Sequence, residues 1–201
     1  MEKSVVLCLA IASLIVLSFI SMQKKKKKKK EALEKILKIL NEYDLTFSDI
    51  LTYYCKYVGG HPERDRESSN LLFGAKNGKL IFFGTNFSIS VGGEGDFLTY
   101  EKVKPYVSSQ TELIHLFDIQ IDSIVDIRYF DATTSSTMAL VGGGHWAIPI
   151  RMKQGDASVL IDWNDGKYNH STEFRFAGFF GGMQANKRAN TLRNTFIRMT
   201  K

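Results

Sequence analysis

The sequence predicts an α+β chain: an N-terminal transmembrane helix, a short helical hairpin, then a mainly antiparallel β barrel or sandwich capped by a C-terminal amphipathic helix. Three observations predict it. Residues 4–22 are uncharged and largely apolar, and seven lysines follow almost at once. Residues 71–176 alternate apolar and polar positions between turn dipeptides. Ala185, Ala189, Leu192, Phe196 and Met199 then step by four and three, which draws a single apolar stripe on a helix.

The apolar run, SVVLCLAIASLIVLSFISM, is about 28 Å long as a helix, close to the roughly 30 Å hydrocarbon core of a bilayer. A cleaved signal peptide is the competing reading. Glu2 offsets Lys3 at the start, and the end offers poor small-x-small spacing, so a retained anchor over 1–23 is expected. Lys24, Lys25, Lys26, Lys27, Lys28, Lys29 and Lys30 form a polybasic juxtamembrane segment, 24–30. They face a single lysine on the other side of the run, which orients the N-terminus outside and 24–201 in the cytoplasm of a single-pass cell-membrane protein. These seven lysines are the candidate contacts for anionic lipid headgroups, each contributing about 1 kcal/mol near such a surface. The same run also reads as a plain topology signal without lipid selectivity.

A helical hairpin is expected over 31–60. Leu33, Ile36, Leu37 and Leu40 form an i, i+3, i+4, i+7 stripe. Thr46 and Asp49 have capping-box spacing for a second helix, 47–57, ended by Gly59-Gly60. HPERDRESSN, 61–70, reads as a linker and domain boundary. The β domain, 71–201, opens on strands 71–75 and 79–84 around Asn77-Gly78, a strong hairpin signal. An alternating segment 87–91, an edge strand or extended loop 98–107, strands 112–120 and 122–130, and segments 133–141 and 145–152 come next. Strands 158–163 and 172–176 flank Asn164-Asp165-Gly166, and helix 185–199 closes the chain.

The net charge of +6 is concentrated at the front. Residues 31–201 carry 19 basic and 20 acidic residues, which argues against a nucleic-acid partner. Cys8 and Cys55 lie in separate segments, so no disulfide forms within the β domain, and Cys55 reads as a small buried apolar residue.

Strands followed by one C-terminal amphipathic helix resemble a pleckstrin-homology-like domain, in particular its GRAM and bacterial PH-like branch. The resemblance is carried by Lys79-Leu80-Ile81-Phe82-Phe83, by 116–126, by VLIDWNDG (159–166) with Glu173-Phe174-Arg175-Phe176, and by the closing helix with Leu192 and Phe196. It implies a module that binds lipid, peptide or protein. Phosphoinositide binding through basic residues of the first hairpin transfers poorly, because that turn holds only Lys76 and Lys79.

No motif for a catalytic, cofactor or metal site stands out. The histidines lack metal-ligand spacing, and the glycine clusters 92–95 and 142–144 are not phosphate loops. His145, His170 and Asp162 are the polar residues that can converge in a barrel mouth. The expected function is therefore a non-enzymatic, membrane-anchored protein whose cytosolic PH-like domain binds protein or lipid at the inner leaflet. An enzyme with its site in the barrel mouth and a self-assembling structural protein are the alternatives. The expected partners are the membrane and a protein or a second copy, with no cofactor or metal.

Overall fold

The computed structural model describes residues 2–64, 68–86, 97–108, 110–131, 135–141, 148–177 and 182–201, of which 2–17, 54, 68–70, 135–141, 148–154 and 182–183 are described by their backbone alone. The first helix, α1 (Glu2–Glu42), is continuous. A 3-10 turn, Phe47–Asp49, leads into β1 (Ile50–Gly59), followed by β2 (Ser68–Lys76) and β3 (Lys79–Thr85). The one-turn helix α2 (Tyr100–Val103) precedes β4 (Leu113–Gln120), and the 3-10 turn Ile121–Ser123 joins β4 to β5 (Ile124–Phe130). The hairpin β6 (Ser135–Val141) and β7 (Ile148–Gln154) comes before β8 (Ala157–Asn164), β9 (Asn169–Phe176) and α3 (Gly182–Met199).

Seven strands form one antiparallel sheet in the order β4-β3-β2-β1-β9-β8-β5, and β6 and β7 pair separately. Alternation along the strands sends side chains to two faces. On β2 and β3, Leu71, Phe73, Leu80 and Phe82 join the core under α3, while Leu72, Ile81 and Phe83 join a second core on the other face. The stripe expected on the last helix is the one that packs: Ala185, Ala189, Leu192 and Phe196 are all buried in the first core. Phe196 meets Phe73 at 4.8 Å between ring centroids. On the second face lie Ala32, Leu33, Ile36 and Leu40 of α1, with Leu98, Val103 and Val107 beside them. The half of that face made by β5, β8 and β9 carries polar residues instead, and Arg128 and Ser171 both donate to Asp162 there.

The expected fold class needs correction. The chain is α+β, but no barrel closes: no ladder joins the edge strands β4 and β5 among the described residues. Only three residues connect them, so they leave a shared corner as opposite edges. Side chains then satisfy edge groups that a barrel would pair. His61 Nε2 lies 3.2 Å from the Asp118 carbonyl on β4, and Arg193 Nε donates to the Ile127 carbonyl on β5 at 3.0 Å.

The helical hairpin is also absent. Thr46 and Asp49 do engage, the Thr46 amide donating to Asp49 Oδ2 at 2.8 Å, but the helical turn lasts three residues. Leu51, Tyr53, Cys55 and Tyr57 then alternate into the first core as a strand. The expected linker 61–70 consequently falls between two neighbouring strands of one sheet, and its last three residues are already part of β2.

The transmembrane helix expected over 1–23 is corrected as well. Among the described residues no helix is long and apolar enough to cross a membrane. The apolar run does not stand alone: lysine is a good helix former, so the helix carries on through 24–30 and the amphipathic segment after it, 41 residues in all.

Candidate functional site

The lysines occupy one to two turns in the middle of α1. Successive residues turn by about 100°, so seven in a row encircle the helix and present no single stripe. Every residue from 18 to 28 is exposed, as is Lys30. Four residues after Lys28 the helix becomes a core element, with Ala32 at 6% and Leu33 at 3% exposure. The lysine collar is therefore coupled to the β domain by rigid helix, not by a linker. Lys29 is the exception to full exposure. Its ammonium donates to the Pro105 carbonyl at 3.2 Å and ties the collar to the turn after α2.

Below the collar, a groove of about 640 Å³ runs between α1 and the start of β4, lined among others by Lys28, Lys35, Ile36, Ile39, Glu112 and Ile114. Its lining mixes apolar side chains with charges of both signs. Ile114 on the β4 side is exposed.

The polar trio expected in a barrel mouth does not assemble. His145 lies outside the described residues. In the β8–β9 ladder Asp162 stands opposite Ser171 and Trp163 opposite His170, so Asp162 and His170 project from opposite faces of the sheet. Asp162 is held below the usual carboxylate range by the hydrogen bond from Arg128, helped by Ser171 and opposed by partial burial. His170 pairs instead with Asp165, Nε2 to Oδ2 at 2.8 Å. That bond, with the amides of Tyr168 and Lys167, holds Asp165 at about 2.

A different histidine occupies the open corner of the sheet. His61, placed by sequence in a linker, is buried and stacked between Phe117 of β4 (centroids 4.3 Å apart) and Trp163 of β8 (5.0 Å). Trp163 in turn lies against His170, with centroids 4.5 Å apart and the rings tilted. The Glu63 amide donates to His61 Nδ1 at 3.2 Å, which leaves Nε2 as the protonated nitrogen facing the Asp118 carbonyl. Burial is the main reason its pKa falls below the ordinary histidine value. Gly60 makes the insertion possible: at φ +94° its backbone runs so close to the Ser171 carbonyl that a Cβ would collide with it. The only sequence signals for this plug were the Gly59-Gly60 pair and a histidine opening an otherwise charged segment.

Next to it on β4, His115 bonds Asp118 at 2.7 Å and stacks on Tyr43 at the end of α1, 4.5 Å between centroids. Burial opposes ionisation of Asp118, but the hydrogen bond and charge of His115 and the charge of Lys79 overcome it, and the carboxylate stays below its ordinary range. The three described histidines thus link the end of the first helix to β4, and β4 to β8 and β9. Among the described residues no group of three or more His, Cys, Asp or Glu side chains is placed to hold a metal.

No family model, curated protein or solved structure matches the chain.

Proposed function

We propose that this chain is a non-enzymatic binding protein seated on an anionic membrane surface by Lys24–Lys30, with its β domain held rigidly at that surface to engage a protein or lipid ligand. One observation carries the reading: six of the seven lysines are exposed around a helix whose next turns, from Ala32 to Leu40, are buried in the domain's second core. A solvated polylysine on a flexible tail would bind acidic surfaces without positioning anything. Here the helix transmits the position of the collar to the sheet. The cytoplasmic leaflet is the anionic one, which supports a cytosolic placement of the β domain. The histidines support binding over catalysis. His61, His115 and His170 each have aromatic and hydrogen-bond partners that fix them as packing elements.

Co-sedimentation tests this. The described core residues begin at Ala32, so a 24–201 fragment retains all of them. It is expected to sediment with vesicles containing phosphatidylserine and not with phosphatidylcholine alone, and to stay in the supernatant once the seven lysines are replaced by glutamine. Equal binding to both vesicle types, or binding that survives the replacement, rejects the collar as the seat.

A further inference from the structure

Resting on that reading, we propose that the turn from Tyr100 to Tyr106 is a second contact with the anionic bilayer surface, so that the domain is seated by two points and has a defined orientation. Four observations place it there. The Lys29–Pro105 hydrogen bond holds this turn against the collar. Tyr100 and Tyr106 are 41% and 43% exposed, and Lys102, Lys104 and Pro105 are exposed with them. Val103 and Val107 are buried in the second core, which fixes the turn to the sheet while its aromatic and basic side chains face out. Lys104 stands 5.7 Å over the Tyr100 ring, so cation and aromatic surface are presented together.

This pairing suits a bilayer surface more than a soluble acidic partner. Tyrosine places an apolar ring at the headgroup level with its hydroxyl in water, and lysine extends its ammonium to the phosphates from an apolar stem. Glu101 is the one acid in the turn, and Lys104 neutralises it at 3.8 Å. With Glu101 offsetting one lysine, the turn adds a net charge of +1 to the collar on the side of α1 where Lys29 reaches Pro105. Two contact points remove the freedom to rotate about the helix axis, which the encircling lysines by themselves leave open.

Lysine footprinting on the full chain tests it. The protein is acetylated with an amine-reactive reagent in the presence of phosphatidylcholine vesicles, the same vesicles with phosphatidylserine, or soluble polyglutamate, and modification is read by mass spectrometry. Phosphatidylserine is expected to protect Lys102 and Lys104 together with the collar, leaving Lys167 and Lys187, which are exposed elsewhere on the domain, unchanged. Lys102→Gln with Lys104→Gln is expected to weaken binding to these vesicles by about fivefold per lysine. Tyr106→Trp is expected to be quenched by brominated lipid. A protected collar with freely reacting Lys102 and Lys104 overturns the second contact and leaves the proposed function standing. A collar that is not protected overturns both. Protection of Lys167 and Lys187 to the same degree overturns a defined orientation. Equal protection of Lys102 and Lys104 by polyglutamate makes the turn a general polyanion surface and overturns the bilayer as its occupant.

Discussion

Removing the His61 ring should open the unclosed corner of the sheet. In His61→Ala two stacked contacts disappear, with Phe117 and with Trp163, and each such pair contributes about 0.5–1.5 kcal/mol beyond burial. The hydrogen bond to the Asp118 carbonyl is lost too, at about 1 kcal/mol, and leaves an edge acceptor to find water. Together these give a loss of about 2–4 kcal/mol, a large share of a typical domain's roughly 5–15. His61→Phe keeps the stack and loses the hydrogen bonds, so it should cost about 1–2 kcal/mol. The wild type should also lose stability in mild acid. Burial lowers the folded-state pKa of His61, so the neutral ring is preferred on folding. Its stabilisation is complete above about pH 6.5, the unfolded value, and declines as pH falls from there through the lower folded value. Glu63, Asp118 and His170 are the charged or titratable neighbours, and none of them supplies a carboxylate against the ring strong enough to reverse the shift. Urea unfolding of the 24–201 fragment at neutral pH and near pH 5.5 reads both effects. A His61→Ala midpoint indistinguishable from wild type, or a His61→Phe variant with the same loss between the two pH values as wild type, would refute the idea that His61 closes the corner.

Phe196→Ala should cost about 3–5 kcal/mol in the same urea assay, because the ring is fully buried against Phe73, Phe82 and Phe174. Gly60→Ala should prevent normal folding, judged by loss of the cooperative thermal transition, whereas Gly78→Ala, with open space around its Cβ position, should cost only about 1–2 kcal/mol for its left-handed backbone. Asp118, Asp162 and Asp165 all have lowered folded-state pKa values, so their stabilisation is present above about pH 4 and fades as pH falls through those values, to about 2 for Asp165. Acid unfolding followed by circular dichroism should therefore show a second decline below pH 4, and Asp162→Asn should reduce it.

Much of the β domain was legible because its alternation is strict and its turns are chemically marked. Asn77 and Gly78 both adopt positive φ, 51° and 73°, as the hairpin signal requires, and the register Lys76↔Lys79 follows. The β8–β9 pair and the α3 stripe were read from the same kind of local signal. The first strand was misread because two periodicities overlap there. Phe47, Ile50, Leu51 and Tyr54 fit a helical stripe, while Leu51, Tyr53, Cys55 and Tyr57 fit a strand. The capping pair Thr46 and Asp49 favours the helix locally, but the run of Thr, Tyr and Val residues favours extended backbone, and pairing to both β2 and β9 decides it. The failure of the barrel to close was not legible, since it depends on a three-residue corner and on His61 and Arg193 reaching edge carbonyls from distant segments. Segments 87–91, with Gly92, and 142–147, with His145, lie outside the described residues. The lysine collar was plain in the sequence, whereas its rigid coupling to the core required seeing that α1 continues unbroken to Glu42.

The seat on an anionic surface is tested most directly by the salt dependence of vesicle binding. If α1 lies along the surface, about half of the six exposed lysines face it, worth about 3 kcal/mol or roughly a hundredfold in affinity. Raising ionic strength from 0.01 M to 1 M shortens the screening length from about 30 Å to about 3 Å. The 24–201 fragment should accordingly lose at least that hundredfold across a salt titration on phosphatidylserine vesicles, and the variant with glutamine at all seven lysines should bind weakly and show only the smaller salt response left to Lys102 and Lys104. Affinity that holds at high salt, or a variant that titrates like the wild type, would contradict the account.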